Sequence, residues 1–265
     1  MATNSKYNYT ALDRPEVLRS LFHPRKELNN PGTRFNGIEI MIPVEKDKIG
    51  ARFHMVGKLS PNILFFHGNG EIVADYDDLA PLYNKFGMNF LPVDYRGYGR
   101  SSGRPTVTAM ISDSHDIFNF VNNWLGEHLY TGPMIVMGRS LGSASAIEIA
   151  ARHKAKISGL ILESGFARTG PLLRVLGVDP DAIGFKEVIG FQNDVKIKSY
   201  DKPALIIHAE QDHIIPFSEG QALYDACTAS DKFLLKIPQA NHNDIFMRGL
   251  SEYMAAVKAL SDRVA

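Results

Sequence analysis

The sequence contains a single cysteine, Cys227, in 265 residues. One thiol excludes a disulfide within the chain, and it excludes a metal cluster built from several cysteines. The chain also lacks the H-E-x-x-H motif of zinc peptidases and the G-x-x-x-x-G-K-[ST] motif of P-loop proteins. We therefore expect chemistry that needs no metal, and a reducing compartment such as the cytoplasm.

The chain also has no excess of either charge and no long hydrophobic run. Its 29 Lys and Arg residues balance 29 Asp and Glu residues. A neutral chain lacks the basic face that nucleic-acid binding requires, and it has no general attraction to anionic lipid. No stretch approaches the roughly 18 apolar residues of a membrane-spanning helix, and residues 1–9 are too polar for a signal peptide. We predict a soluble, cytoplasmic protein.

Short apolar runs alternate with longer amphipathic stretches after residue 36. Buried strands that alternate with helices are typical of parallel β-α-β units, so the pattern predicts an α/β fold with a doubly wound sheet. The predicted strands, of which the first two form an antiparallel hairpin, are Ile38–Val44, 51–56, 63–66, 90–93, 134–137, 160–162, 204–208 and 233–237. Helices are predicted around residues 18–22, over 76–86, after Pro105, and over 141–151, 219–227 and 245–260.

Residues 166–200 interrupt this alternation, with prolines and glycines such as Pro171 and Gly177 among apolar residues. About 35 residues are too many for a simple connection. Because the segment follows the end of a strand, we predict a lid over the carboxyl edge of the sheet; an ordinary helical excursion is the alternative. With an N-terminal extension over residues 1–36, the pattern predicts one domain over residues 1–265.

The pentapeptide Gly138-Arg139-Ser140-Leu141-Gly142 lies between a predicted strand and a predicted helix. This is the context of a nucleophile elbow, a sharp turn that raises a serine hydroxyl above the sheet. Small residues on both sides avoid collisions with neighbouring strands, and the helix N-terminus places backbone N–H groups near the hydroxyl. Ser140 is the predicted nucleophile, and a simple tight turn is the alternative.

A serine nucleophile needs a base, and nine histidines are available. His242 follows the last predicted strand and precedes the last helix, so it lies at the same edge of the sheet as Ser140. His213 is its one serious rival. The base also needs a carboxylate to orient it, and Asp212 follows the strand 204–208. The order Ser140, Asp212, His242 is the order this kind of fold uses.

Two other carboxylates, Glu210 and Glu163, compete with Asp212 because they also follow strands. The oxyanion of an acyl-transfer intermediate needs two donors, for which we predict the backbone N–H groups of Asn69 and Leu141. Asn69 belongs to His67-Gly68-Asn69-Gly70, whose glycines allow close approach of the backbone. Glu71 is expected either to brace this loop by accepting hydrogen bonds or to be solvated at a helix start.

A second glycine-rich turn spans residues 94–99. It does not match the dinucleotide-binding fingerprint, because Ser102 stands where the third glycine of G-x-G-x-x-G belongs. We predict a structural turn in which Asp94 and Arg96 pair.

Cys227 is predicted to lie in a helix as a packed small residue.

These motifs together resemble the α/β-hydrolase superfamily over roughly residues 38–263. The resemblance rests on the loop 67–71, the turn 94–101, the elbow 138–143, Asp212 and the Asn-His-Asn-Asp run at 241–244. More narrowly, these segments are similar to the α/β-hydrolase-domain group that includes eukaryotic protein depalmitoylases and many bacterial serine hydrolases. The loop 67–71 also looks like that of monoglyceride lipases, with Asn69 where that family has Ala.

The resemblance implies a serine hydrolase that cleaves a small-molecule acyl ester or thioester through an acyl-enzyme, without a cofactor. It departs from the depalmitoylases because no Cys-rich N-terminal tail is present. Two alternatives use the same fold. One is a serine peptidase of the prolyl-oligopeptidase kind, although residues 1–36 are too few for its propeller. The other is a non-catalytic binding protein, which would tend to lose one of Ser140, Asp212 and His242.

Overall fold

A computed structural model describes residues 8–28 and 37–265 of the chain. Eight strands form one sheet in the order β1-β2-β4-β3-β5-β6-β7-β8. The hairpin β1–β2 is antiparallel and joins β4 in antiparallel fashion, whereas the remaining pairs are parallel. The strands are β1 (Ile38–Val44), β2 (Asp47–Phe53), β3 (Asn62–Phe66), β4 (Asn89–Val93), β5 (Met134–Arg139), β6 (Gly159–Glu163), β7 (Ala204–Ala209) and β8 (Lys232–Ile237).

Helices cover both faces of the sheet, and for this reason β3 to β7 are buried along their whole length. Alternate strand residues enter two separate cores: Leu64 and Val136 belong to one, and Phe65 and Ile135 belong to the other. The α-helices are α1 (Pro15–Leu21), α2 (Ala80–Lys85), α3 (Val107–Glu127), α4 (Gly142–Arg152), α5 (Thr169–Val175), α6 (Asn193–Lys196), α7 (Phe217–Ala226) and α8 (Ile245–Val264).

Two predicted elements differ from the structure. The second hairpin strand spans Asp47–Phe53, not residues 51–56. It begins at Asp47 because a two-residue turn at Glu45 and Lys46 pairs Val44 directly with that residue. The turn places Glu45 at a positive φ of 45°. The apolar alternation at 51–56 missed the polar start of this strand. The sequence pattern therefore located the hairpin but not the start of its second strand.

The predicted helix 76–86 is divided in the structure. A 3₁₀ turn covers Val73–Tyr76, and α2 begins separately at Ala80. Pro81 lies in the first turn of α2, where its missing N–H costs no hydrogen bond, whereas in the interior of a longer helix it would break one. Cys227 is buried as predicted, but it lies just after the end of α7.

Two segments outside the central alternation pack against the helices and strands of the sheet and against each other. The segment 166–200 contributes α5 and α6, and its Lys196 is buried within 2.7 Å of Glu148 on α4. The Nζ atom of Lys196 also donates a hydrogen bond to the hydroxyl of Tyr9, at 2.6 Å. Of the predicted extension, residues 1–7 and 29–36 lie outside the described residues. Residues 8–28 pack onto the body of the protein, with α1 at their centre.

Candidate active site

Ser140 lies on the sharp turn between β5 and α4. Its φ of 51° is in the left-handed region, which a residue with a side chain adopts only under constraint. The space around the turn demands glycine on both sides. A Cβ on Gly142 would lie 2.1 Å from the carbonyl oxygen of Phe66, and one on Gly138 would lie 2.3 Å from the carbonyl oxygen of Gly142. The glycines of the pentapeptide therefore permit the backbone approach that holds Ser140 above the sheet.

The structure brings Ser140, His242 and Asp212 into one hydrogen-bonded chain. His242 Nε2 is 3.0 Å from Ser140 Oγ, and His242 Nδ1 is 2.7 Å from Asp212 Oδ2. All three residues are buried, although they come from three different strand ends. This geometry allows the imidazole to accept a proton from the serine hydroxyl while its other nitrogen donates to a carboxylate.

Backbone donors hold Asp212 in place. Its Oδ1 accepts hydrogen bonds from the N–H groups of Ile214 and Ile215, at 3.0 and 2.7 Å. Burial raises the pKa of Asp212. The hydrogen bond from His242, the charge of His242 and the hydrogen bond from the Ile215 N–H outweigh that effect, so the pKa of Asp212 lies below its usual value. The carboxylate is therefore ionised at neutral pH and has one oxygen left for the imidazole of His242.

The rival residues lie elsewhere. His213 is exposed, and Glu210 is exposed and paired with Lys236 at 3.0 Å. Glu163 is buried below the elbow, where it accepts hydrogen bonds from Arg139 and from Tyr253. Among the described residues, the side chains of these three form no hydrogen bond with the side chain of Ser140 or of His242.

The loop after β3 packs against the elbow, since a Cβ on Gly142 would lie 2.7 Å from the carbonyl oxygen of His67. Neither the Asn69 nor the Leu141 backbone N–H has a hydrogen-bond acceptor within residues 8–28 and 37–265. The Asn69 side chain is engaged, because its Oδ1 accepts from Tyr98 Oη at 2.7 Å. Glu71 braces the loop by accepting a hydrogen bond from the Gly68 N–H at 2.7 Å. Both N–H groups are therefore without an acceptor among these residues.

Arg139, the variable residue of the elbow motif, joins three parts of the site. Its guanidinium donates to Glu71 in the loop after β3, to Glu163 at 3.0 Å, and to the carbonyl oxygen of His242 at 2.8 Å. A Cβ on Gly68 would lie 2.8 Å from this guanidinium, so the glycine also makes room for the pair between Arg139 and Glu71. One buried cation thereby positions the elbow, the predicted oxyanion loop and the loop of His242.

The two carboxylates around Arg139 have different pKa values. Burial raises the pKa of Glu71, but the charge of Arg139 and the Tyr76 hydroxyl lower it more, and the net pKa lies below its usual value. Burial raises the pKa of Glu163 more than Arg139 lowers it, so its net pKa lies above the usual value. Glu71 is therefore the ionised partner of Arg139, whereas Glu163 holds a proton more readily.

Replacing Arg139 by methionine should destabilise the protein. The variant leaves the buried Glu163 and the partly buried Glu71 without their cation, and breaking a buried pair in this way costs about 3–5 kcal/mol. Urea unfolding of Arg139→Met and of the double variant Arg139→Met/Glu163→Gln measures the effect. We expect the double variant to recover part of the loss, because the neutral amide removes one unpaired carboxylate. Equal stability of Arg139→Met and the unmodified protein would contradict this interpretation.

The predicted pair between Asp94 and Arg96 is wrong. Arg96 instead forms a two-pronged pair with Asp113 on α3, with both distances at 2.7 Å. Asp94 is buried beneath the turn, where its Oδ1 accepts from the Val73 N–H at 2.9 Å and lies 3.3 Å from His67 Nε2. The folded turn directs the side chains of Asp94 and Arg96 toward different parts of the structure, so Arg96 reaches Asp113. The closeness of Asp94 and Arg96 in the sequence does not reveal this difference in direction.

An open pocket of about 340 Å³ lies over Ser140 and His242. One part of its wall is apolar and is formed by Leu21, Leu141, Leu172, Leu176 and Ile214. The other part is polar and is formed by His23, Asn69, Gly70, Glu71, Arg139 and Asn243. Leu172 and Leu176 belong to the segment 166–200. The sequence interpretation missed Leu21 and His23, because no local signal links residues more than 100 positions from Ser140 to its surroundings.

Within the part of the chain that the structure describes, no helix is both long and apolar enough to cross a lipid bilayer.

The mostly parallel eight-stranded sheet and the serine on its strand-to-helix turn define the α/β-hydrolase fold. An esterase from Pyrococcus furiosus, Pf2001, has this fold: its TM-score is 0.73 at 19% sequence identity, and the match covers 91% of this chain and 98% of that one. At that identity the likeness concerns the fold alone.

Sequence comparison gives a narrower placement. The family model described as serine aminopeptidase, S33, matches residues 57–183. Human alpha/beta hydrolase domain-containing protein 17B is 30% identical over 213 residues, which are 77% of this chain and 68% of that protein. Lysophosphatidylserine lipase ABHD12 of Danio rerio is 32% identical over 188 residues, which are 64% of this chain and 48% of that protein. This chain belongs to the α/β-hydrolase superfamily.

This chain matches only part of its curated relatives: the matched segments cover between 48% and 68% of the length of three of them.

Proposed function

We propose that this protein is a serine hydrolase that cleaves carboxylic ester or thioester bonds through an acyl-enzyme. The observation that carries the proposal is the buried hydrogen-bonded chain of Ser140, His242 and Asp212 at the floor of an open pocket. In the first half-reaction His242 takes the Ser140 proton while Oγ attacks the acyl carbon, and the protonated imidazole then gives that proton to the leaving alcohol or thiol. Water repeats the same sequence on the acyl-enzyme.

The tetrahedral intermediates of both half-reactions carry an oxyanion, for which we assign two donors. Asn69 and Leu141 line the pocket together with Ser140, and their backbone N–H groups have no acceptor among the described residues. Asp212 holds the imidazole in the tautomer that accepts at Nε2, and it stabilises the imidazolium after proton transfer. The apolar wall of the pocket, with Leu172 and Leu176 from the segment 166–200, suits the hydrocarbon part of an acyl substrate. We propose that this segment acts as the lid of the site.

A peptidase function is the second candidate, because the matching family model is described as serine aminopeptidase. An aminopeptidase must bind the charged amino terminus of its substrate with an acidic group. The carboxylate in the pocket wall is that of Glu71, and it is already committed to Arg139, Tyr76 and the Gly68 N–H. The pocket therefore favours an ester or thioester, which carries no such cation.

A fluorophosphonate probe combined with a substrate series tests the proposed function. We expect the probe to label Ser140 in the folded protein, with peptide mapping to identify the site, and to abolish hydrolysis. Purified protein should then hydrolyse p-nitrophenyl esters and acyl thioesters over a series of chain lengths, but not aminoacyl amides. Absence of labelling would favour a non-catalytic binding protein. Preference for aminoacyl amides over every ester would favour the peptidase.

A further inference from the structure

The N-terminal segment 8–28 forms part of the pocket wall. Its apolar residues Leu12, Val17, Leu21 and Phe22 are buried in the main core. After α1 the chain runs beside the loop that follows β3, and Leu21 and His23 line the pocket over Ser140. This segment lies outside the region that the family model matches, which begins at residue 57. It adds to the site groups that the family match does not describe.

The contacts of Asn69 determine the orientation of its amide. The amide oxygen Oδ1 accepts hydrogen bonds from the His23 backbone N–H at 2.8 Å and from Tyr98 Oη at 2.7 Å. The His23 N–H can only donate, and it is shared between Asn69 Oδ1 and the Tyr98 hydroxyl oxygen at 2.9 Å, while the Tyr98 O–H donates to Oδ1; we therefore assign the amide nitrogen Nδ2 to the other side. That nitrogen is 3.1 Å from His23 Nδ1. Because an amide nitrogen only donates, we assign His23 Nδ1 as the acceptor of this contact and the ring N–H to Nε2.

The Nε2–H group of His23 is left without a protein acceptor. No hydrogen bond to Nε2 occurs within residues 8–28 and 37–265, and the side chain is exposed on the pocket wall. A directed donor is thereby held next to the loop that carries Asn69. The backbone bond from His23 to Asn69 fixes the position of the residue, and the side-chain bond fixes the rotation of its ring.

The charges of the pocket indicate the kind of oxygen that this donor would meet. Arg139 is the cation of the wall among the described residues, and it is paired with Glu71 and Glu163. With Nδ1 engaged by Asn69, His23 offers one N–H donor to the pocket, and the amide of Asn243 is a second polar side chain of the wall. A phosphate or carboxylate would find no free cation here, whereas a hydroxyl or ether oxygen needs only a neutral donor.

We propose that His23 is a substrate-binding residue whose Nε2–H donates a hydrogen bond to an uncharged oxygen close to the scissile bond, so that the protein prefers polyol or hydroxy-acid esters to purely hydrocarbon esters. The inference rests on the proposed ester hydrolysis. It assigns the N-terminal segment a role in specificity, while Ser140, His242 and Asp212 perform the chemistry.

Three esters of similar size test the inference: ethyl butyrate, glyceryl monobutyrate with hydroxyls in the alcohol part, and ethyl 3-hydroxybutyrate with a hydroxyl in the acyl part. The unmodified protein is compared with His23→Phe, which keeps an aromatic ring but removes the donor, and with His23→Gln, which keeps a donor. Both retain the backbone N–H that holds Asn69. His128→Ala, at an exposed histidine outside the pocket, is the matched control.

We expect His23→Phe to lower kcat/KM for at least one hydroxylated ester roughly fivefold relative to ethyl butyrate, mainly through KM, as loss of one neutral hydrogen bond implies. His23→Gln should restore part of the preference, and His128→Ala should leave it unchanged. The affected substrate identifies whether the oxygen is in the alcohol or the acyl part. An equal loss on all three esters, or no loss, in an active protein overturns the inference alone. Failure of the unmodified protein to hydrolyse any ester overturns the proposed function and the inference with it.

Discussion

Ser140→Ala is expected to reduce ester hydrolysis by roughly 10⁴–10⁶-fold, to a level near background. The hydroxyl is the proposed attacking group, and the described residues around His242 offer no other nucleophile within hydrogen-bond distance of Nε2. The loss should appear in kcat, because the pocket that binds the substrate is otherwise unchanged. Steady-state kinetics on a p-nitrophenyl ester and loss of fluorophosphonate labelling measure the effect.

The fold should survive this substitution. The Ser140 hydroxyl contacts the His242 ring and no structural group, while the turn is held by the backbone bond from Ser140 N to the Glu163 carbonyl at 2.8 Å. Circular dichroism and urea unfolding should therefore match the unmodified protein within about 1 kcal/mol. Ser218→Ala, at an exposed serine on α7, serves as the matched control and should keep full activity. An active Ser140→Ala variant would exclude an acyl-enzyme on this serine.

Asp212→Asn is expected to lower kcat by about 10⁴-fold with little change in stability. The N–H groups of Ile214 and Ile215 already bind one carboxylate oxygen, and they would retain the amide oxygen of asparagine at that position. The amide NH₂ would then face His242 Nδ1. That nitrogen would have to accept, so the imidazole proton would move to Nε2 and face Ser140, and the ring could no longer act as the base.

Stopped-flow or steady-state kinetics on the same ester measure this loss, and the rate of fluorophosphonate labelling should fall in parallel. Glu210→Gln is the matched control, because Glu210 is an exposed carboxylate two residues earlier that pairs with Lys236. Its kcat should stay within about twofold of the unmodified protein. If Asp212→Asn retained kcat within tenfold while Glu210→Gln lost it, the orienting carboxylate would be Glu210.

The sequence predicted the alternating elements and the elbow because both depend on local patterns. Apolar periodicity located each central strand, and Gly138 and Gly142 around Ser140 identified the turn. Local patterns were less informative where a proline or a turn changed the boundary, as at Pro81 in α2. They also misassigned the partner of Arg96, because neighbours in sequence need not be neighbours in a folded turn.

The sequence by itself determined the fold class, the superfamily motifs and the candidate residues Ser140, Asp212 and His242. Tertiary structure alone decided that these residues meet, since they come from strand ends 72 and 30 positions apart in a chain of 265 residues. It also decided that Arg139 joins three loops and that His23 enters the pocket wall. Those contacts arise where parallel strands end at one edge of the sheet, and only the packed chain determines which side chains meet there.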